Sequence, residues 1–219
     1  MKKELLDIDL FSVSEDGKTL YGCDQEWYAQ HWQRMSGCGP TVATNLVHYR
    51  NVAGTGARAE KAELIELMEQ VWEHVTPGMG GIPSTQALIE RMEKYIEAHE
   101  LGAVIHELYI PHAHKETESR LAQFLRADGE KLPRAPFAEV LEFIVGALEA
   151  DMPVAFLALD NGEEPALDEW HWITIVSLEY TERGAPVIAT VMDGGGLFTC
   201  DLYKWYTTTK RGGGFVYIS

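Results

Sequence analysis

The chain has 219 residues, of which 46% are hydrophobic, and this length and content suit one domain with a sizeable core. Its 34 acidic and 18 basic residues give a formal net charge of −16 at pH 7, which repels phosphate backbones and argues against a nucleic-acid partner. No stretch approaches the length of a membrane span, acids interrupt the N-terminal segment where a signal peptide needs an apolar run, and three cysteines suit a reducing compartment better than a disulfide framework. We therefore expect a single cytoplasmic domain over residues 1–219, with no membrane partner and with reduced thiols.

The first two thirds of the chain are predicted to be mainly helical. An aromatic-rich segment, residues 11–34, precedes the helices and is predicted to be an ordered loop or short helix. Beyond it, apolar residues recur at helical spacing, and prolines or a serine stand where helices begin. The predicted helices cover residues 41–50, 60–75, 85–102, 115–127 and 137–148.

The periodicity changes after Met152, where short apolar runs rich in branched residues are separated by turn residues. Residues 103–110 form an earlier run rich in branched residues and are also predicted to be a strand, although helix and strand are hard to separate over so short a run. The predicted strands cover residues 103–110, 154–158, 173–178, 187–191 and 215–218, and residues 197–206 form a further strand or short helix. Helices followed by strands predict the α+β class, with a helical half packed against a mostly antiparallel sheet.

Two groups of residues invite a ligand-binding interpretation. His106, His112 and His114 suggest zinc, yet their spacing matches no common structural site and no cysteine lies nearby. The glycine-rich segments 54–56 and 194–196 lack the lysine of a phosphate-binding loop and are better explained as turns. The sequence therefore predicts neither a metal ion nor a cofactor.

Cys38 lies in the segment MSGCGPT, residues 35–41, between two glycines and just before Pro40. Proline is tolerated in the first turn of a helix because its missing N–H would have no intrahelical partner there, so Pro40 predicts a helix start. The partial positive charge at a helix N-terminus favours a thiolate, and flanking glycines let a substrate backbone come close. Cys38 is therefore a candidate nucleophile, although a small buried residue at a tight turn would give the same pattern.

His171 and Asp193 supply the groups that a thiol nucleophile needs. His171 stands at the start of one predicted strand, and Asp193 follows the end of the next. If these strands form a hairpin, both residues lie at the same end of the sheet. An imidazole within hydrogen-bond reach of the thiol, held in orientation by a third group, is the general arrangement of a catalytic triad. Asp168 is the alternative third member, since it also lies close to His171 in sequence.

The order of these residues is similar to that of the papain-like cysteine peptidases, and it resembles more narrowly the bacteriocin-processing branch that acts on double-glycine leaders. The resemblance rests on GCGPT (37–41), MPVAF (152–156), HWITI (171–175) and MDG (192–194). It implies a papain-like fold and a peptide or peptide-like substrate. It also implies that Cys38 is the nucleophile, His171 the general base and acid, and Asp193 the residue that orients His171.

The resemblance further implies a glutamine that helps to bind the oxyanion, about six positions before the cysteine. Here Gln33 is five positions before Cys38, whereas Gln30 and Gln25 are eight and thirteen positions before it. A carboxamide N–H and the Cys38 backbone N–H would together hold the developing oxyanion. We assign this role first to Gln33 and next to Gln25.

Three functions are compatible with these residues. The first is a thiol hydrolase that cleaves an amide bond through an acyl-enzyme on Cys38. The second is an acyl transferase or amidase on the same fold, because an amine can resolve the thioester as readily as water. The third is a catalytically inactive papain-like binding protein.

The loop between the strand at 154–158 and His171 is strongly acidic, since five of the residues 160–169 are Asp or Glu. Because it leads directly into His171, we expect it at the rim of the cleft. A negative cluster there would favour substrates with Lys or Arg near the scissile bond. Alternatively, the loop is a solvated turn whose charges are screened by salt and have no effect on substrate choice.

Overall fold

The structure is a computed structural model that describes residues 1–113, 133–181 and 185–219 and has a mixed α+β architecture. Its α-helices are α1 His31–Ser36, α2 Cys38–Val52, α3 Lys61–His74, α4 Thr85–Ala98, α5 Phe137–Glu149 and α6 Leu202–Thr208. Its strands are β1 Lys2–Glu4, β2 Ser12–Glu15, β3 Lys18–Tyr21, β4 Ile105–Ile110, β5 Val154–Ala158, β6 His171–Tyr180, β7 Val187–Asp193, β8 Gly196–Asp201 and β9 Gly213–Ile218. Short 3₁₀ helices cover Ile8–Phe11 and Gln25–Trp27.

The main sheet has seven strands in the order β4-β9-β5-β6-β7-β8, with β1 also paired to β6. Every described pair is antiparallel. β5 lies along the first half of β6, where Val154 is opposite Ile175, and β1 lies along its second half, where Lys3 is opposite Leu178. The α+β class and the mostly antiparallel sheet predicted from the sequence are therefore confirmed.

Helices cover both faces of the sheet, so its central strands are buried on both sides. In β5, Val154 and Phe156 belong to a core that also contains apolar residues of α5 and α6. The alternate residues Ala155 and Leu157 belong to a second core with residues of α2, α3 and α4. This alternation follows the two-residue period of a strand. Helix α2, which begins with Cys38, is thus packed directly on the sheet.

The N-terminal region contains strands that the sequence analysis did not predict. β1 consists of two lysines and a glutamate, so it has no apolar pattern, and it forms because β6 extends beyond β5 and offers an unpaired edge. β2 and β3 form a hairpin whose turn residues Asp16 and Gly17 have φ of 49° and 76°. An Asp-Gly pair is a strong hairpin signal because both central residues of a type I′ turn need positive φ. The interpretation of this region as loop or short helix missed that signal.

Several element boundaries differ from the predicted ones. α2 begins at Cys38, two residues before Pro40. Residues 197–206 contain both a strand and a helix, and the Asp201 side chain accepts a hydrogen bond from Lys204 N at the junction. β9 begins at Gly213 because glycine alone permits the close approach of its backbone to Leu157 O. The predicted helix at 115–127 lies outside the described residues.

The histidines that suggested zinc are placed as follows. His106 stacks on Tyr217 with 4.4 Å between ring centroids, and its Nε2 lies 2.9 Å from Ser219 Oγ. His114 lies outside the described residues. Within the described part of the chain, no group of three or more His, Cys, Asp or Glu side chains is arranged to hold a metal ion. In the same part, no helix is long and apolar enough to cross a bilayer.

A pair of glycine substitutions tests the packing of the sheet. At Gly213, φ is 146° and a Cβ atom would lie 1.9 Å from Leu157 O, so Gly213→Ala is expected to lower the free energy of unfolding by at least about 2 kcal/mol. Gly146 lies in α5 with no atom within 4 Å of an added Cβ. Gly146→Ala is therefore expected to raise the free energy of unfolding by about 0.5–1 kcal/mol. Urea unfolding of both variants measures these changes. If both substitutions changed the free energy of unfolding equally, the close approach of the Gly213 backbone to Leu157 would be contradicted.

Candidate active site

Cys38 is the first residue of α2, and α1 ends at Ser36, so the two helices meet at Gly37. The thiol is half-buried. A Cβ atom at Gly37 would lie 2.6 Å from Gln33 O and 3.0 Å from the Tyr28 ring, and one at Gly39 would lie 2.7 Å from the Ile82 side chain. The two glycines are therefore needed by the protein's own packing around the cysteine, a reason that the sequence analysis did not foresee.

His171 and Asp193 lie at the same edge of the sheet, as the hairpin prediction requires. His171 begins β6 and Asp193 ends β7, and these antiparallel strands pair with Thr174 opposite Met192. His171 Nε2 is 2.8 Å from Asp193 Oδ2. This bond leaves Nδ1 of the ring for the Cys38 thiol, which is within hydrogen-bond range of His171. The structure thus brings the three residues together and selects Asp193 over Asp168 as the partner of the ring.

The surroundings of His171 favour its protonated form. Burial opposes the positive charge, but the hydrogen bonds of the ring to Asp193 and to Cys38 outweigh burial and raise the pKa of His171 to about 10. The side chain is 17% exposed, so water weakens these bonds little. At neutral pH the ring is therefore an imidazolium that can stabilise a thiolate on Cys38 and can later donate a proton.

Gln33, the residue first assigned to the oxyanion hole, is engaged elsewhere. Its Oε1 accepts a hydrogen bond from Gln30 N at 3.1 Å, and its Nε2 lies 3.3 Å from Glu69 Oε2. It is 4% exposed and caps the first turn of α1. The carboxamide thus joins α1 to α3, and the assignment of Gln33 to the oxyanion hole stays a prediction. A helix of six residues gains a large fraction of its stability from such a cap, which sequence spacing alone does not show.

The two other glutamines differ from each other. Gln30 is exposed, and its Oε1 accepts a hydrogen bond from the Trp32 indole at 2.9 Å. Gln25 is half-buried in the 3₁₀ helix that Asp24 caps, and within the described residues its side chain has no hydrogen-bond partner. Burial raises the pKa of Asp24, and the nearby charge of Asp193 adds to this effect. The segment that carries Gln25 therefore lies beside the His171–Asp193 pair.

Asn45 holds this segment against α2 and the sheet, and the sequence analysis missed it. Its Oδ1 accepts a hydrogen bond from Cys23 N at 2.9 Å, and its Nδ2 donates to Thr174 Oγ1 at 3.1 Å. Asn45 is 3% exposed and lies seven residues after Cys38, which places both residues on one face of the helix. The available signal was an asparagine two turns after Cys38, on the same face of α2.

The acidic loop before His171 stands at the edge of the site, and three of its acids have partners within the protein. Asp160 accepts hydrogen bonds from the backbone of Lys210 and Arg211, and Glu169 Oε2 lies 3.6 Å from Arg211 Nη1. Glu164 is 7% exposed and accepts a hydrogen bond from Ala166 N at 3.2 Å, so this acid of the loop is buried. Glu163, Asp168 and Glu169 are exposed, and Arg211 pairs with Glu169, so the preference for cationic substrates stays a prediction.

The other two cysteines are buried, and all three thiols are free, as predicted. Burial raises the pKa of Cys23 well above its usual range and that of Cys200 to about 12. Neither is therefore a thiolate near neutral pH, and Cys38 is the thiol that lies close enough to an imidazole to act on its pKa. Comparisons of the chain with models of protein families, with curated proteins and with solved structures found no match.

Removal of the Asp193 charge tests the electrostatics of the site. In Asp193→Asn the pKa of His171 is expected to fall, because the bond that favours the imidazolium is weakened. The charged ring is present below its pKa and is lost as pH rises through it, so the variant should lose its Cys38 ion pair at lower pH than the wild type. We expect its second-order rate with iodoacetamide at pH 7 to fall about tenfold.

The matched control is Asp168→Asn, since Asp168 is adjacent in the same small pocket but does not bond the ring. Its alkylation rate is expected to stay within about twofold of the wild type, as for other exposed charges screened by solvent. An equal fall in both variants would mean that the total negative charge near the site, and not the His171–Asp193 bond, sets the reactivity of Cys38.

Proposed function

We propose that this chain is a cysteine peptidase-like hydrolase of the papain-like fold, which cleaves an amide bond in a peptide or peptide-like substrate. The observation that carries the proposal is the meeting of Cys38, His171 and Asp193 at one edge of the sheet, with the ring bonded to the Asp193 carboxylate and the Cys38 thiol close enough to the ring to help raise its pKa. The papain-like fold is supported by a nucleophile at the first residue of a helix that packs on an antiparallel sheet.

The reaction proceeds through an acyl-enzyme. The Cys38 thiolate attacks the carbonyl carbon, and the electron pair of the C=O bond moves to the oxygen. When the tetrahedral intermediate collapses, the C–N bond breaks, and His171 gives its proton to the leaving amine. The neutral ring then takes a proton from water as the water oxygen attacks the thioester carbon. The C–S bond breaks, the carboxylic acid is released, and the Cys38 thiolate and the protonated His171 are restored. Asp193 keeps the ring in one orientation throughout these steps.

Gln25 is the better choice for the second oxyanion donor. The backbone N–H of Cys38 lies at the N-terminus of α2, where the first turn has no intrahelical acceptor. The Gln25 carboxamide has no internal partner among the described residues, and its segment is fixed by the Cys23–Asn45 bond on one side of the nucleophile. Two donors that converge on one oxygen stabilise the developing negative charge.

The direct test of the proposal is cleavage of an undirected peptide mixture. Wild-type protein incubated with a tryptic digest should produce new termini detected by mass spectrometry, and Cys38→Ala should produce none. Cys200→Ala serves as the matched control, because it removes a buried thiol with no ionic partner. It should cleave at the wild-type rate. Equal cleavage by Cys38→Ala would refute the role of Cys38 as nucleophile.

A second pair of variants separates the two glutamines. Gln25→Ala is expected to lower kcat for a cleaved peptide by about 100-fold, the cost of one oxyanion donor, and to leave the iodoacetamide rate unchanged because alkylation develops no oxyanion. Gln33→Ala removes the α1 cap and the Glu69 bond, so it should lower the melting temperature but change kcat by less than about threefold. The reverse result would return the oxyanion role to Gln33.

A further inference from the structure

Trp170, the residue directly before His171, has a backbone conformation that large side chains rarely adopt. Its φ is 57°, in the left-handed region that favours glycine, and its side chain is 52% exposed. Both features are unfavourable to the isolated protein, since strain and exposed aromatic surface each cost free energy. Such strain persists where the surrounding structure imposes it, and it concentrates at functional sites.

Arg211 covers the ring of Trp170, and it is fixed there by its own contacts. The guanidinium carbon lies 5.2 Å from the centroid of the indole. Arg211 N donates to Asp160 Oδ2 at 3.0 Å, and its Nη1 is 3.6 Å from Glu169 Oε2. Trp170 and Arg211 therefore form a paired, partly exposed surface that starts at the residue next to the catalytic base.

This surface borders a polar cavity of about 350 Å³. The cavity lies at the same edge of the sheet as His171, because it is lined by Asp160, two residues after the Ala158 that pairs with His171 in the β5–β6 ladder. Its lining also includes Glu163, Lys210 and Arg211. Its volume is at the lower end of the range for ligand-binding pockets in proteins.

The charges of the cavity are nearly balanced. Asp160 is bonded to the backbone of Lys210 and Arg211, and Glu169 faces Arg211, so these acids already have partners. Glu163 and Lys210 remain exposed, with opposite signs. A charged ligand group would meet attraction from one and repulsion from the other, whereas an uncharged group with both a donor and an acceptor meets no unfavourable charge.

We propose that Trp170 and Arg211 form a specificity-determining subsite for the substrate residue next to the scissile bond, and that this subsite takes a long side chain with an uncharged polar end, such as glutamine. The aliphatic part of that side chain packs on the indole, and its carboxamide enters the polar cavity. The inference rests on the proposed function, because the subsite is defined by its position beside His171.

The test uses two peptidyl chloromethyl ketones that differ only in having Gln or Ala at the residue next to the reactive group, together with iodoacetamide as a small probe. The alkylation rate of Cys38 is measured for each. In the wild type, the Gln reagent should react about tenfold or more faster than the Ala reagent, the usual effect of one well-filled side-chain pocket. Reagents with Lys and Glu at the same position should fall between them.

Trp170→Gly is the decisive variant, because glycine adopts positive φ without strain. We expect an unchanged or higher melting temperature, an iodoacetamide rate within twofold of the wild type and a Gln-to-Ala ratio close to one. Trp170→Asn, which also tolerates this conformation, should behave in the same way. Arg211→Gln should lower the ratio while leaving the iodoacetamide rate unchanged.

An unchanged Gln-to-Ala ratio in Trp170→Gly, or no preference for Gln in the wild type, overturns the subsite while the reactivity of Cys38 stands. A preference for Lys or for Glu over Gln also overturns it, since the cavity would then select by charge. Failure of the proposed function has a separate signature, because in that case Cys38 would react with iodoacetamide no faster than an unactivated thiol in both the wild type and the variants.

Discussion

The hydrogen bond between His171 and Asp193 is the interaction on which the rest of the candidate site depends. It joins the first residue of β6 to the last residue of β7, so its 2.8 Å length is set by the antiparallel register of two central strands. The largely buried ring would lose its charge without a partner, and the carboxylate reverses that preference. The same bond occupies Nε2 and leaves Nδ1 for the thiol. This contact thus orients the imidazole and, together with Cys38, favours its charged form, and the rigidity of the contact comes from the sheet.

The nucleophile is brought to this pair by packing on the other side. α2 rests on the sheet through its apolar face, while Asn45 links the helix to Thr174 of β6 and to the segment that carries Gln25. Gly37 and Gly39 let Tyr28 and Ile82 close around the helix start. The proposed thiolate, oxyanion donors and base therefore lie on separate elements that share one core. A shift of any of these elements would separate groups that must remain within hydrogen-bond distance during an acyl transfer.

Much of the fold and of the triad could be predicted from local patterns. The helix at Cys38, the strand at His171 and the turn after Asp193 carry strong local signals, and the hairpin assumption brought the last two together. The remainder depended on tertiary contacts. β1 has only charged residues and forms because β6 has a free edge, which no window of sequence reveals. Gln33 has better spacing than Gln25, but Glu69, 36 residues away, engages its carboxamide. The acidic loop suggested a negative rim, and no local pattern shows that Arg211, from a later part of the chain, pairs with Glu169 in that loop.

Our central claim is that Asp193 and Cys38 together hold His171 as an imidazolium at neutral pH. It is tested most directly by following the His171 ring protons by NMR from pH 5 to 11 in the wild type and in Cys38→Ala. We predict that the wild-type ring stays protonated through pH 8 and titrates toward its raised pKa of about 10, and that the pKa falls in Cys38→Ala because one of the bonds that favour the charge is gone. Titration of the wild-type ring near its ordinary pKa, unchanged by loss of the thiol, would contradict the imidazolium and with it the proposed hydrolase.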